Sequence, residues 1–268
     1  NCNPLKDENC KPLNVGLSTS IIDYFEEKSP NYSIFIDRGS FTFHKNDGLE
    51  IIMDKRYDNP SIRSNFYILY GKVEAIIKTS SGQGIISSFF LQSDDGDEID
   101  IEWIGGERDK VQTNFFSKGN VTTYSRGQTH KVIGHSESFH KYTIDWKKEE
   151  LNWYIDDKLV RSVKNNTDER YPCSAMSLMV GIWAGGDPGN EVGTIQWAGG
   201  ETDFDKAPFS MFVKRIVVSD YSSGSFYKYS SNYLNNHYNE NSDNKGIEIV
   251  GGNVNDRFEI ASKEFSIL

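Results

Sequence analysis

Asp97-Glu98-Ile99-Asp100-Ile101-Glu102-Trp103 decides how this chain is read. Side chains alternate across a β-strand, so Glu98, Asp100 and Glu102 share one face while Ile99, Ile101 and Trp103 share the other. Three like charges in a row repel, and chance patterning rarely builds such a row behind a fully apolar face. Crowded carboxylates have pKa values pushed apart, so one stays a nucleophile or base while another stays protonated as an acid. Cleavage of a glycosidic bond requires that division of labour. Positions i and i+4 lie about 13 Å apart along a strand, at about 3.3 Å per residue. Two glutamates leaning together reach the carboxyl separation of about 5 to 5.5 Å of retaining enzymes, while spacing alone also admits the inverting range of about 6.5 to 9.5 Å. The competing readings are a solvated acidic strand or a cation site. Hard-cation loops usually bring a turn glycine and carbonyl ligands, which this regular alternation does not supply.

Outward from that stretch, short apolar runs recur between Gly, Asn, Asp and Ser clusters. Strands are predicted at Ile34 to Ile36, Leu49 to Met53, Lys72 to Lys78, Ile85 to Leu91 and Val111 to Ser117. Further strands are predicted at Tyr142 to Trp146, Leu151 to Asp156, Leu178 to Trp183 and Phe212 to Val218. Asn46-Asp47-Gly48 and Asp156-Asp157-Lys158 suit tight hairpins. Many strands at regular spacing, with almost no helical periodicity, predict an all-β fold, an antiparallel two-sheet β-sandwich. The 268 residues can bury one full core. The catalytic sandwich is expected over residues 1–221. Residues 222–268 change to a Ser-, Asn- and Tyr-rich composition and read either as an extension or linker, or as an ordered loop wrapping the sandwich.

With 39 acidic against 29 basic residues the formal charge is −10, which offers no attraction to phosphate backbones or anionic lipid. Nucleic acid and membrane surfaces are therefore poor partners and neutral polymers better ones. No run approaches the roughly 18 apolar residues of a membrane helix. Asn1-Cys2-Asn3-Pro4 has neither a charged start nor an apolar run, so the sequence reads as a mature or trimmed chain. Lys263 to Leu268 is too short for the hydrophobic tail of a lipid-anchor signal, and any such tail is expected outside this sequence. Sequons at Asn31, Asn120 and Asn165 fit a secretory route.

Asp97 to Glu102 resembles the ExDxE signature of glycoside hydrolase family 16, and its surroundings resemble the fungal Crh-type cell-wall transglycosylases. The supporting segments are Gly82-Gln83-Gly84-Ile85-Ile86-Ser87-Ser88-Phe89, Trp103-Ile104-Gly105-Gly106, Val111-Gln112-Thr113-Asn114-Phe115-Phe116, Phe139-His140-Lys141-Tyr142 and Gly193-Thr194-Ile195-Gln196-Trp197-Ala198-Gly199-Gly200. Ile101, where that group often carries an aromatic residue, and Cys173 depart from the pattern. The resemblance implies a jelly roll with a concave sugar cleft, a chitin donor, a β-glucan acceptor and a fungal wall location. Cys2 and Cys10 read most simply as a local disulfide, as the resemblance also implies, leaving Cys173 as a free, buried thiol.

On this reading Glu98 is the nucleophile, Glu102 the acid/base and Asp100 the auxiliary group that orients Glu98 and helps keep Glu102 protonated. Gln112, Asn114 and Phe116 share one face of the next strand and are expected to line the cleft. Tyr124 and Arg126 lie in a segment resembling the family's substrate loop, Arg126 being equally readable as a surface ion pair. Trp183 and Trp197 flank the glycine-rich Ala184-Gly185-Gly186-Asp187-Pro188-Gly189-Asn190 and are expected to contact sugar; Trp183 lies on the face opposite Leu178, Val180 and Ile182. The five histidines form neither HExxH nor HxH, so no metal and no cofactor is expected, and no GxSxG elbow exists. A monomer is expected. The rival readings are an endo-β-glucanase on the same fold and a catalytically silent wall carbohydrate-binding protein.

Overall fold

The computed structural model describes residues 2–7, 9–35, 38–120, 126–165, 170–230 and 246–268. Strands are numbered in chain order. The sheet that carries the acids contains β3 (Tyr32–Phe35), β6 (Ser61–Ser64), β8 (Ile85–Gln92), β9 (Glu98–Ile104), β10 (Lys110–Phe116), β11 (Gln128–Lys131) and β15 (Ser177–Ala184), in the spatial order β11-β10-β9-β8-β15-β6-β3. The opposing sheet runs β14-β13-β12-β7-β16-β5-β4. Its members are β4 (Ser40–His44), β5 (Gly48–Met53), β7 (Gly71–Lys78), β12 (His140–Trp146), β13 (Glu150–Ile155), β14 (Lys158–Lys164) and β16 (Phe209–Asp220), with β2 (Ser20–Asp23) paired to the far half of β16. A small third sheet joins β1 (Leu13–Val15), β17 (Phe226–Tyr229) and β18 (Ile247–Val250). All of these strand pairings are antiparallel, as the strand-and-turn pattern predicts.

Period-two alternation builds the core. Ile99, Ile101 and Trp103 of β9 are fully buried between the sheets, and the Trp103 ring meets Tyr142 of β12 edge-on at 4.6 Å between centroids. Phe115 of β10 likewise approaches Trp153 of β13 at 6.5 Å. Arg161 of β14 reaches across the same layer. It lies over both the Phe115 and Trp153 rings and donates to the Thr113 carbonyl at 2.8 Å, tying β10 to the opposing sheet.

The predicted hairpins form. Gly48 opens β5 with φ +75°, and Asp156 and Asp157 both take positive φ between β13 and β14, the backbone that a tight hairpin with right-handed strand twist needs. Sequence pattern missed β1, β2, β4, β6, β11, β14 and β17, which are short or mixed in polarity. It also missed α1 (Val192–Trp197) and α2 (Phe258–Phe265). Ile36 of one predicted strand lies outside the described residues.

Residues 222–230 and 246–268 lie against the sandwich. Tyr227 is fully buried and donates its hydroxyl to Asp220 at 2.8 Å, and Phe258 of α2 meets Tyr221 edge-on at 4.9 Å. Glu264 of the same helix accepts from Ser20 of β2 and from Arg257. The short apolar stretch Ile247 to Val250 is β18, paired to β17.

Asp97, immediately before β9, is buried at the centre of a polar knot. One carboxylate oxygen accepts the Lys118 amide, and the other accepts the Lys118 ammonium at 2.8 Å and the amides of Cys173 and Ser174. Asp95 takes the same ammonium at 2.7 Å. Three separate chain segments thus meet where β9 begins. Removing one partner from a buried charge cluster costs about 3 to 5 kcal/mol, so Asp97→Ala is expected to lower unfolding stability by about 3 kcal/mol in urea titration. A midpoint unchanged from the parent would show that the knot does not hold the start of β9.

Candidate active site

Register places the acids in a grid. On the face turned away from the core, Gln92, Glu98 and Phe116 stand side by side across β8, β9 and β10. The next row is Phe90, Asp100 and Asn114, and the third is Ser88, Glu102 and Gln112. The sequence-predicted Gln112, Asn114 and Phe116 therefore do flank the three acids, one opposite each. Gln92 and Ser88 were not singled out from the sequence, although the alternation of Ile85 to Gln92 puts Ser88, Phe90 and Gln92 on one face. Extending the parity argument one strand back would have found them.

The carboxylates are largely desolvated, which dominates their titration. Burial raises Glu98 above the ordinary 4.5, opposed by hydrogen bonds from Gln92, whose amide donates at 2.6 Å, and from Asp100. Asp100 is 3% exposed and held well above 3.8 by burial first, then by the charges of Glu102 and Glu98. Burial and the neighbouring Glu98 push Glu102 up to about 7, against a hydrogen bond from Ser88 at 3.3 Å. Burial thus favours the neutral form of Asp100, which in that form can donate to Glu98, and leaves Glu102, at about 7, able to give or take a proton near neutral pH.

The Glu102 end of the grid has an aromatic wall. Trp183 follows Gly181 on the same face of β15, and its indole N–H points to Ser88 Oγ at 3.3 Å. Trp197, on α1, stacks on Trp183 with ring centroids 6.1 Å apart and donates to Gln112 Oε1 at 2.9 Å. Both indoles rest on Ile86, Ile104 and Ala198, a small apolar cluster separate from the main core. Leu178, Val180 and Ile182 are buried in the main core on the other face of β15. The glycines beside Trp183 serve close packing rather than looseness. A Cβ on Gly186 would collide with the Gly200 carbonyl, and backbone hydrogen bonds run from Gly186 to Gly84 and from Thr202 to Gly186.

Two expectations change. Arg126 is neither an exposed cation nor a surface ion pair. It is 5% exposed, donates to the carbonyls of Phe115 and Asn120, and lies over the Phe115 and Phe116 rings. Its guanidinium is taken up by carbonyl and ring partners of β10 and is already desolvated there. Tyr124 lies outside the described residues. Cys173 is half-buried rather than fully buried; burial pushes its thiol up to about 11, which keeps it an unreactive thiol at neutral pH. Cys2 and Cys10 form the disulfide.

Among the sequons, the half-buried Asn31 amide donates to Asp23 at 3.1 Å, the exposed Asn165 amide donates to the Lys148 carbonyl, and Asn120 is half-buried. The third positions Thr122 and Thr167 lie outside the described residues. Among the described residues no helix is long and apolar enough to cross a membrane.

Known proteins resemble this chain in both sequence and fold. A family model described as glycosyl hydrolases family 16 matches residues 28–199. Over its whole length the chain is 46% identical to Congo red hypersensitive protein 1 of Saccharomyces cerevisiae and 42% identical to the Crh-like protein CRH11 of Candida albicans. It covers 51% and 57% of those proteins, so it spans about half the length of the curated relatives it matches. The structure of apo Crh5 transglycosylase superposes with a TM-score of 0.83 at 37% identity, covering 92% of this chain and 100% of that one. A β-glucanase of Bacillus licheniformis shares the fold alone, with a TM-score of 0.63 at 20% identity, covering 75% of this chain and 98% of that one. A sandwich whose acid-faced strand lies inside the matched region, with a family match across most of the chain, leads to one conclusion: the chain belongs to glycosyl hydrolases family 16.

Proposed function

We propose that the protein is a retaining transglycosylase that cleaves chitin and transfers the cut chain to β-glucan in a fungal cell wall. The observation that carries this is the row of three desolvated carboxylates on one strand face, which differ in their hydrogen bonds and charged neighbours and so suit the roles of nucleophile, acid and donor between them. The similarity to Crh5 transglycosylase, whose structure has also been solved in complex with NAG, supports the choice of reaction and donor. Secretion to the wall, a single-chain working form, and sugar contacts by Gln112, Asn114, Phe116, Trp183 and Trp197 belong to the same reading.

In the first step a Glu98 oxygen forms a bond to the anomeric carbon as the bond from that carbon to the leaving oxygen breaks, and Glu102 gives its proton to that oxygen. Asp100 donates a hydrogen bond to Glu98 and so holds the attacking carboxylate in orientation. In the second step a glucan hydroxyl attacks the same carbon, Glu102 takes its proton, and the Glu98 ester bond breaks. Both participants are regenerated. Water in place of the glucan hydroxyl would give hydrolysis, and the stacked indoles at the Glu102 end favour a sugar acceptor by covering apolar surface there.

Glu98→Gln and Glu102→Gln keep shape while removing the nucleophile or the transferable proton. Each is expected to abolish movement of a labelled glucan oligomer into chitin-derived product, with an unchanged melting temperature. Near-normal turnover by either variant would refute the assignment.

The pH dependence follows from the directions of the shifts. Glu102, about 7 in the folded protein against an ordinary 4.5, must be protonated to act as acid, so transfer should fall as pH rises through about 7. Glu98 must be ionised and is raised, so the acidic limb should lie above 4.5. Stability contributed by protonated Glu102 is fully present below 4.5 and lost as pH rises through about 7. A rate profile still rising above pH 8 would contradict the role of Glu102.

Trp183→Ala is expected to weaken oligosaccharide binding by about 1 to 3 kcal/mol through lost apolar contact. Titration calorimetry beside a melting curve separates this from a core role, which would instead depress the melting temperature and leave affinity intact.

A further inference from the structure

The row that holds Glu102 runs Gly181, Ser88, Glu102, Gln112 across β15, β8, β9 and β10. Both indoles beside it spend their N–H groups on this row. Trp183 donates to Ser88 Oγ at 3.3 Å and Trp197 to Gln112 Oε1 at 2.9 Å, so each immediate cross-strand neighbour of Glu102 is held by one ring. The two rings stack on each other, 26° from parallel with centroids 6.1 Å apart. Gly181, opposite Ser88, brings no side chain, so what β15 presents to Ser88 is the indole two residues further on. Stacking against a sugar ring needs no N–H.

The directions of these bonds follow from the groups that make them. An indole nitrogen can only donate, whereas a hydroxyl has one proton and two lone pairs. Trp183 therefore takes a lone pair of Ser88, and the hydroxyl proton is left to Glu102 Oε1, 3.3 Å away. Ser88 is 4% exposed, which leaves little room for water to compete. A hydroxyl that accepts from an indole is also a stronger donor, because successive hydrogen bonds polarise one another. Of the charged groups around Glu102, Glu98 and Asp100 share its strand. Lys110 lies two residues from Gln112 on the same face of β10 and pairs with Glu107 at 2.7 Å. Ser88, Gly181 and Gln112 are uncharged, and α1 brings Trp197 but no titratable side chain. The bond from Ser88 is thus what opposes burial and the Glu98 charge at this carboxyl.

We infer that Trp183 is a positioning residue for the acid/base Glu102, acting through Ser88, and that Trp197 keeps it in place by stacking on it and by its own bond to Gln112. The inference rests on the transglycosylase reading above and deepens it. The same glutamate must give up a proton in the first step and take one in the second, so neither of its forms can be too costly. Burial penalises the ionised form; the relay from indole to hydroxyl to carboxylate restores part of what burial removes. A relay of this kind accounts for tryptophan, rather than phenylalanine, at position 183.

The test follows the Glu102 carboxyl by isotope-edited NMR titration, beside the pH profile of transfer to a labelled glucan oligomer. Ser88→Ala removes a bond that favours the ionised form, so the titration should move up from about 7 by roughly 0.5 to 1 pH unit, the effect of one hydrogen bond, and the basic limb of transfer should move up with it. Trp183→Phe keeps a ring on Trp197 but has no N–H, and should move both in the same direction. Its sign separates the relay from packing: a loosened wall would admit water and move the titration down, because burial is the leading cause of the raised value. Ser88→Thr keeps the hydroxyl and should titrate as the parent does. Ser88→Ala combined with Trp183→Phe should shift no further than Ser88→Ala alone, since both act along one path. A Trp183→Phe titration at or below that of the parent, or a double variant that shifts by the sum of the two, overturns the relay and leaves the tryptophan a stacking surface only. Failure of the parent to transfer label at any pH overturns the reading on which the inference rests, while the NMR titrations still decide the relay.

Discussion

One strand carries both core residues and the acid row proposed for the chemistry, and its period of two is the constraint everything else obeys. Ile99, Ile101 and Trp103 can enter the core only if Glu98, Asp100 and Glu102 leave it, so packing of the sandwich fixes the acid row without any contact to substrate. A slip of one residue would bury three carboxylates and expose a tryptophan. The Asp97 knot stands where such a slip would start. Its carboxylate collects an ammonium and three amides from two distant segments, so the strand begins at one register or leaves several buried polar groups unpaired.

Burial also supplies the electrostatics. Three carboxylates on an open strand would all ionise at neutral pH. In the cleft, desolvation is the leading cause of the upward shift at each, and the charges of their neighbours then separate them. Glu98 is held down by two hydrogen bonds, Asp100 is raised between two carboxylates, and Glu102 has only a long bond from Ser88. Differences in hydrogen bonding, contributed by Gln92 and Ser88 of β8 and by Asp100 within the row, turn three similar acids into three different groups. The proposed double displacement needs that inequality and needs no additional titratable residue.

The edges of the cleft are built by quite different means. At the Glu102 end, glycine backbones pack so closely that three loops interlock, and two stacked indoles rest on the result. At the Glu98 end, a paired Arg63 and Asp94 lie behind a disulfide-closed loop. Elsewhere the Tyr-rich segment after residue 221 is not merely solvated composition: Tyr227 is buried on Asp220, and α2 lies against β2 and β16. Burying aromatic area there offsets the ordering of a sequence that looks disordered by composition.

The sequence by itself determined the fold class, the acid row and the amide face of β10. Each follows from alternation within one strand, which is local and therefore readable residue by residue. It also determined the hairpins at Gly48 and Asp156, where short-range backbone preferences leave little choice. Strands such as β4 and β14 stayed illegible because their order comes from partners far away in sequence rather than from their own pattern. Tertiary structure alone decided that Arg126 is buried against Phe115 and Phe116, that Gln92 and Ser88 bond Glu98 and Glu102, and that Lys118 and Ser174 meet at Asp97. Those relations join residues brought together only when two sheets close on each other, and no window of sequence contains both sides of such a contact.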